Sequence, residues 1–193
     1  MEIIDKTLPP LKSYLTVWES KLDIPKINNK IKKVIDKQGD KQNHRSNVKA
    51  QMTLWHMQNE DGFKELSAIL IDCVEKISKI RYKMDTKFKI DTMWGMKYKS
   101  EETAVGHNHW PATWSCVYYL NAPEGASGLL FNEVGDQGVE RKIEEGLLIF
   151  FPGDLVHSVR PSKFKGYRYA VSANFYPVKF NNRSSENEKA RND

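Results

Sequence analysis

The chain has 193 residues, 39% of them hydrophobic and 28% charged, which fits one globular domain with a real core and leaves little room for two. An aromatic content of 11%, five Trp included, argues against a disordered chain. The net charge of +5 is small and comes mainly from scattered Lys, so nucleic acid is a minor expectation among partners.

Along the chain, residues 1 to 60 are mixed. Ser13 to Leu22 reads as a short strand or a helical turn. Pro25 to Ile35 carries apolar residues at 27, 31, 34 and 35 among Lys and Asn, the pattern of an exposed amphipathic helix with Pro in its first turn. Its lysines belong to the stretch Lys26 to Lys41, a solvated helical face. Gln38 to Asn47 is polar and reads as a loop. Phe63 to Ile80 is the clearest helix, with Phe63, Leu66, Leu70, Val74 and Ile77 three or four apart and Asn59-Glu60-Asp61 before it as cap and dipole partners.

From Phe88 the pattern changes to short runs of aromatic and β-branched residues between Gly, Pro and Asn turns. Candidate strands are Phe88 to Lys99, Ala104 to His109, Thr113 to Leu120, Gly128 to Asn132, Val139 to Lys142, Leu147 to Phe151, Val156 to Arg160 and Arg168 to Tyr176. So many short strands in one stretch predict a barrel or sandwich. The helices then cover its outer face. The expected organisation is a helical and extended segment over residues 1–85, a β core over 86–180, and a polar tail from 181 to 193 that frays. Cys73 and Cys116 lie in apolar runs, with no CxxC pair to suggest a zinc site. No apolar run suits a signal peptide or a membrane span, so a cytoplasmic protein is expected, without membrane partners.

Three of the five His fall in the β unit. His107 and His109 are two apart, and residues i and i+2 of a strand project from one face. A third ligand must then come from another strand. His157, at the start of a short strand after a long apolar run, is the candidate. Arg168 opens an alternating series with Ala170, Ser172 and Asn174 on one face. The Pro161 to Gly166 loop would let its strand pair beside that of His157. A polar face inside a small barrel needs a polar occupant, and a dicarboxylate held bidentately by Arg fits. Trp94, Trp110 and Trp114 cluster around these residues in sequence. For Trp110, core packing is preferred over a place at a substrate mouth.

Several ordered pieces carry a family likeness: Gly106-His107-Asn108-His109, Trp114 to Asn121, Gly128-Leu129-Leu130-Phe131, Glu145 to Pro152, His157-Ser158-Val159 and Gly166 to Phe175. In this order and spacing, the stretch from Trp94 to Phe175 resembles the 2-oxoglutarate- and Fe(II)-dependent oxygenase superfamily, especially its prolyl-hydroxylase-like, microbial and phage branches. The resemblance implies a mainly β fold with N-terminal helices, a double-stranded β-helix of the jelly-roll or cupin-like kind. It implies an oxidoreductase using Fe(II), 2-oxoglutarate and O2, hydroxylating a substrate while 2-oxoglutarate is decarboxylated to succinate and CO2. It makes His107 the first iron ligand, His157 the distal one, and Arg168 the partner of the cosubstrate C5 carboxylate. Tyr98, Tyr118 and Ser172 are candidates for further cosubstrate hydrogen bonds.

The superfamily usually has an acid two residues after the first His, where this chain has His109. Either His109 is the second ligand, which its spacing favours, or Glu133 or Asp154 supplies a carboxylate, or the position is open. Two other functions compete: a cupin-like metalloenzyme without 2-oxoglutarate, in which Arg168 is dispensable, and a non-catalytic barrel module without metal. Substrate class is open among protein side chains, small molecules and nucleobases.

Overall fold

The computed structural model describes residues 12–14, 17–83, 85–135 and 137–178. The polar tail expected from residue 181 lies outside them. The described residues form two helices, α1 (Pro25–Gln38) and α2 (Phe63–Tyr82). A seven-stranded sheet runs in the order β1 (Lys12–Tyr14), β2 (Val17–Lys21), β10 (Leu147–Pro152), β7 (Trp114–Tyr119), β12 (Arg168–Pro177), β5 (Phe88–Tyr98), β4 (Gln51–Met52). A five-stranded sheet runs β3 (Val48–Lys49), β6 (Thr103–His107), β11 (His157–Val159), β8 (Leu129–Phe131), β9 (Val139–Arg141).

All eight strands expected after Phe88 form. From β5 onward, apart from the β8–β9 hairpin, successive strands fall alternately in the two sheets. That winding corrects one expectation: β11 and β12 are not neighbours. β11 pairs with β6 and β8, while β12 pairs with β5 and β7. The loop between them crosses from one sheet to the other, so His157 and Arg168 meet across the interior rather than side by side.

Earlier residues complete both sheets. In the stretch Ser13 to Leu22 the described residues form β1 and β2, strand rather than helix, and β2 pairs with β10. The two-residue strands β3 and β4 pair with β6 and β5; they are too short to show any hydrophobic period. A two-pronged ion pair ties β2 to β9, with Arg141 Nε and Nη2 donating to the two Glu19 carboxylate oxygens at 2.5 and 2.6 Å. It links the two sheets through β2, which lies between β1 and β10, and the edge strand β9.

The seven-stranded sheet buries both faces. Strand alternation sends Cys116, Tyr118, Val171 and Ala173 outward against Ile31 and Ile35 of α1 and Phe63, Leu66, Leu70, Val74 and Ile77 of α2. Each such large apolar side chain contributes roughly 1.5–3 kcal/mol when fully buried. Gly95 permits the approach of α1, because a Cβ there would lie 2.4 Å from Ile35 Cγ1. The start of α2 differs from expectation. Gly62 is its N-cap, and its N–H donates to Glu65 Oε2 at 2.9 Å, rather than the Asn59 to Asp61 run capping the helix. Both cysteines are buried and free, and burial pushes the Cys73 thiol up to about 12, so neither behaves as a reactive thiol. The inner face meets the five-stranded sheet across a second core. Among the described residues, no helix is long and apolar enough to cross a membrane.

Candidate metal centre

β6 and β11 are antiparallel neighbours, and His107 lies directly opposite His157 in their register. Opposed residues of a pair project from the same face, so two imidazoles meet at once, with ring centroids 4.5 Å apart. His109 arrives differently from the shared-strand geometry expected of it. β6 ends at His107, and His109 belongs to the loop that follows. The loop is held in place by the β10–β11 turn: His109 N–H donates to Gly153 O at 2.6 Å, and Gly153 N–H to Thr113 O at 3.3 Å. Gly153 is required there, since a Cβ would lie 2.0 Å from Ala112 O. The His109 ring then lies 5.1 Å from His107 and 4.9 Å from His157.

One ligand atom from each of the three His lies within 4.8 Å of the others. The tautomers suit a metal. His107 Nδ1 is 2.6 Å from Val105 O, and His157 Nδ1 is 2.9 Å from Leu155 O. A carbonyl only accepts, so both Nδ1 atoms carry the proton and both Nε2 lone pairs are free. His109 is placed by rings instead, with Trp94 at 5.6 Å and Phe151 at 6.5 Å. Burial disfavours the charged form of all three. It lowers His107, takes His157 down to about 4 with help from the His107 charge, and takes His109 down to about 2 with help from His157 and His107. Three neutral imidazoles are the state a metal ion needs. Glu133 and Asp154, the alternative acids, are both exposed, and neither joins the cluster.

The histidines open on a cavity whose other end is Arg168. β12 places Arg168, Ala170 and Ser172 on its inner face. Their partners are Tyr98, Met96 and Trp94 on β5, and, for Ala170 and Ser172, Tyr119 and Val117 on β7. Arg168 is 2% exposed. Its guanidinium lies over the Tyr98 ring, 4.0 Å from the centroid, and Nη1 donates to Ser127 O. Its Nε is buried with no hydrogen-bond partner. Tyr98 and Ser172 line the cavity with it.

Tyr118 does not. It lies on the opposite face of β7, in the helix-side core, where its hydroxyl donates to Asn28 Oδ1 at 2.9 Å. The alternation of β7 puts Tyr119 in the cavity instead. The sequence shows that Val117 and Tyr119 share one parity, and it is the β7–β12 register that sets this parity opposite Ser172 and Ala170. Asn174 also leaves the cavity face. The register shifts after it, and it is bonded to Ser115 Oγ at 2.8 Å and Thr92 Oγ1 at 3.0 Å. The tryptophans divide three ways. Trp94 lines the cavity. Trp114 is buried under α2, its Nε1 donating to Ser78 Oγ at 3.1 Å. Trp110 is 75% exposed rather than packed in the core, because the loop that delivers His109 turns outward after it.

No protein-family model matches the sequence, and no curated protein matches it. Solved structures do match in three dimensions. A viral collagen prolyl hydroxylase from Paramecium bursaria Chlorella virus-1, in its 2-oxoglutarate complex, superposes with a TM-score of 0.62 at 17% identity, over 83% of this chain and 96% of that one. A Pseudomonas putida prolyl-4-hydroxylase gives 0.63 at 14%, over 85% and 94%. A Trichoplax adhaerens prolyl hydroxylase, bound to a peptide fragment of hypoxia-inducible factor, gives 0.57 at 17%, over 92% and 87%. Identities this low establish architecture, and with the winding of the two sheets they show that the chain has the double-stranded β-helix fold of the 2-oxoglutarate- and Fe(II)-dependent oxygenases.

Proposed function

We propose that this protein is a 2-oxoglutarate- and Fe(II)-dependent oxygenase that hydroxylates its substrate. The observation that carries the reading is the pairing, in one cavity, of three close imidazoles at one end with a buried, partly unsatisfied guanidinium at the other. Each end tests the fit on its own. Two imidazoles present free Nε2 atoms, and nitrogen donors of this kind suit iron. A buried cation with an orphaned Nε is costly unless an anion completes it, and a dicarboxylate reaching from the metal does so.

In this reading His107, His109 and His157 hold the iron, and Arg168 takes the distal carboxylate of 2-oxoglutarate. The bound iron supplies the activation of O2, coupled to decarboxylation of 2-oxoglutarate to succinate and CO2. The chain supplies the rest. Val105 and Leu155 carbonyls fix the orientation of two ligands. The Tyr98 ring supports the guanidinium, and Ser172 offers a hydroxyl to the same cavity. Trp94, Val117, Leu129 and Val159 keep the cavity apolar and exclude water.

The fold relatives are described as acting on collagen or as binding a hypoxia-inducible-factor peptide. That supports a protein side chain as the first substrate class to test, ahead of small molecules and nucleobases. The deciding experiment is anaerobic loading with Fe(II) followed by O2 and 2-oxoglutarate, with succinate as readout. Slow succinate formation without substrate, accelerated by the right one, is expected. Absence of succinate from fully iron-loaded protein would exclude the reading.

A further inference from the structure

A second recess borders the histidines. It measures about 90 Å³ and shares Val48, Trp94, His107 and His109 with the cavity that ends at Arg168. The rest of its wall is Ser46, Asn47, Trp55 and Asn108, to none of which the oxygenase reading gives a role. Trp55 is fixed through its backbone, its carbonyl accepting the Met93 N–H at 2.8 Å. Its ring, 37% exposed, stands T-shaped on Trp94 with centroids 5.0 Å apart. Trp94 is 3% exposed, and its Nε1 is buried with no hydrogen-bond partner. A donor left unpaired in the interior is costly until an acceptor completes it.

The sheet is open at the same place. β3 accompanies β6 only as far as Asn47, whose carbonyl accepts the Val105 N–H at 2.9 Å. β6 runs on to His107, and among the described residues no strand lies beside that last part on the β3 side. An edge of this kind takes up an added extended chain. The wall of the recess narrows the choice of occupant. Apart from the two histidines it holds no ionisable side chain, so nothing in it pairs a phosphate or a carboxylate. The carboxamides of Asn47 and Asn108 offer both donors and acceptors, as main-chain amides require, and Trp55 offers an apolar ring. An uncharged extended peptide matches this wall; a nucleotide or an anionic metabolite does not.

We propose that the recess seats an uncharged, extended segment of a substrate polypeptide, laid along the open end of β6, with one residue against Trp55 and a carbonyl accepting the Trp94 Nε1–H. This rests on the reading of the three histidines as the catalytic metal centre, and it adds the residues that select the substrate. Trp55 is the contact face and turns aside to let the carbonyl reach Trp94, which stays in place. The uncharged wall rejects a charged residue at that position.

The test uses the full chain carrying isotope-labelled tryptophan, with and without Zn(II), and follows the indole N–H signals by NMR. Trp55→Phe and Trp94→Phe assign the two signals. The probes are a pool of blocked, uncharged short peptides at millimolar concentration, the same pool with a central Glu, and a dinucleotide. The uncharged pool should move both signals, with the Trp94 N–H shifting downfield and exchanging more slowly with solvent. Trp55→Ala should weaken that binding by at least about threefold, the size of one lost aromatic contact, while Trp55→Phe retains it and both variants take up Zn(II) as the wild type does. The Glu pool and the dinucleotide should leave both signals in place. No movement with the uncharged pool, equal affinity in Trp55→Ala, or a stronger response to the dinucleotide overturns the peptide seat. So does a Trp94 shift produced by 2-oxoglutarate alone and not by peptide, which would give the donor to the inner cavity. None of these outcomes touches the metal reading. That reading fails separately, if the chain takes up no Zn(II) while the peptide shifts persist.

Discussion

The two ends of the cavity are made from different material. The histidine end belongs to the five-stranded sheet, where β6 and β11 are five and three residues long and a bulge interrupts their pairing. Its third ring comes from a loop held by backbone contacts to Gly153. The arginine end belongs to β12, ten residues long and paired on both sides by β5 and β7, with the α1 and α2 core behind it. The short-stranded end gains its precision from local devices: two ring-to-carbonyl hydrogen bonds and one glycine contact. The long-stranded end gains it from the sheet as a whole. Ligand positions are therefore sensitive to single loop residues, whereas Arg168 is positioned by elements that also carry the stability of the fold.

The largest test of this division is a pair of variants. His157→Ala should lower Fe(II) affinity by more than about 100-fold, beyond what loss of a supporting group costs, and abolish the single bound equivalent in anaerobic titration. Arg168→Leu should leave that equivalent in place and weaken 2-oxoglutarate binding by tenfold or more, about 1.5–3 kcal/mol for a charged hydrogen-bonded pair. If either variant produced the other's loss, the two ends would not be separable. Next comes the glycine that anchors the loop. Gly153→Ala forces Ala112 O away and should cost about 1–3 kcal/mol in denaturant unfolding, with a fall in metal affinity because His109 moves. Retained affinity would show that the loop does not set the ligand. The smallest effect lies behind the sheet. Tyr118→Phe removes the bond to the buried Asn28 and should cost about 1–2 kcal/mol with 2-oxoglutarate affinity unchanged. A loss of cosubstrate binding would return Tyr118 to the cavity.

Much of the site was legible in the chain because it rests on strand parity and on costly polar residues in apolar runs. His157 after Leu147 to Val156, and Arg168 opening an alternating strand, stand out for that reason. The choice of Tyr118 over Tyr119 shows the limit. Parity says which residues share a face, but a strand buried on both faces, as β7 is throughout, does not say which face is inside. Trp110 shows another limit, since an aromatic beside a ligand pair is core or surface according to the path of its loop, which composition does not encode.

The sequence by itself determined the elements after Phe88, the two helices, and the residue types from which a metal centre can be made, because periodicity and burial cost are local properties of the chain. Tertiary structure decided that β11 and β12 lie in opposite sheets, that His109 reaches the cluster from a loop, and that Glu133 and Asp154 stay outside it. Those outcomes depend on which strands pair across large separations and on where loops cross between sheets. Pairing of that kind is settled by the collective packing of both cores, not by any one segment.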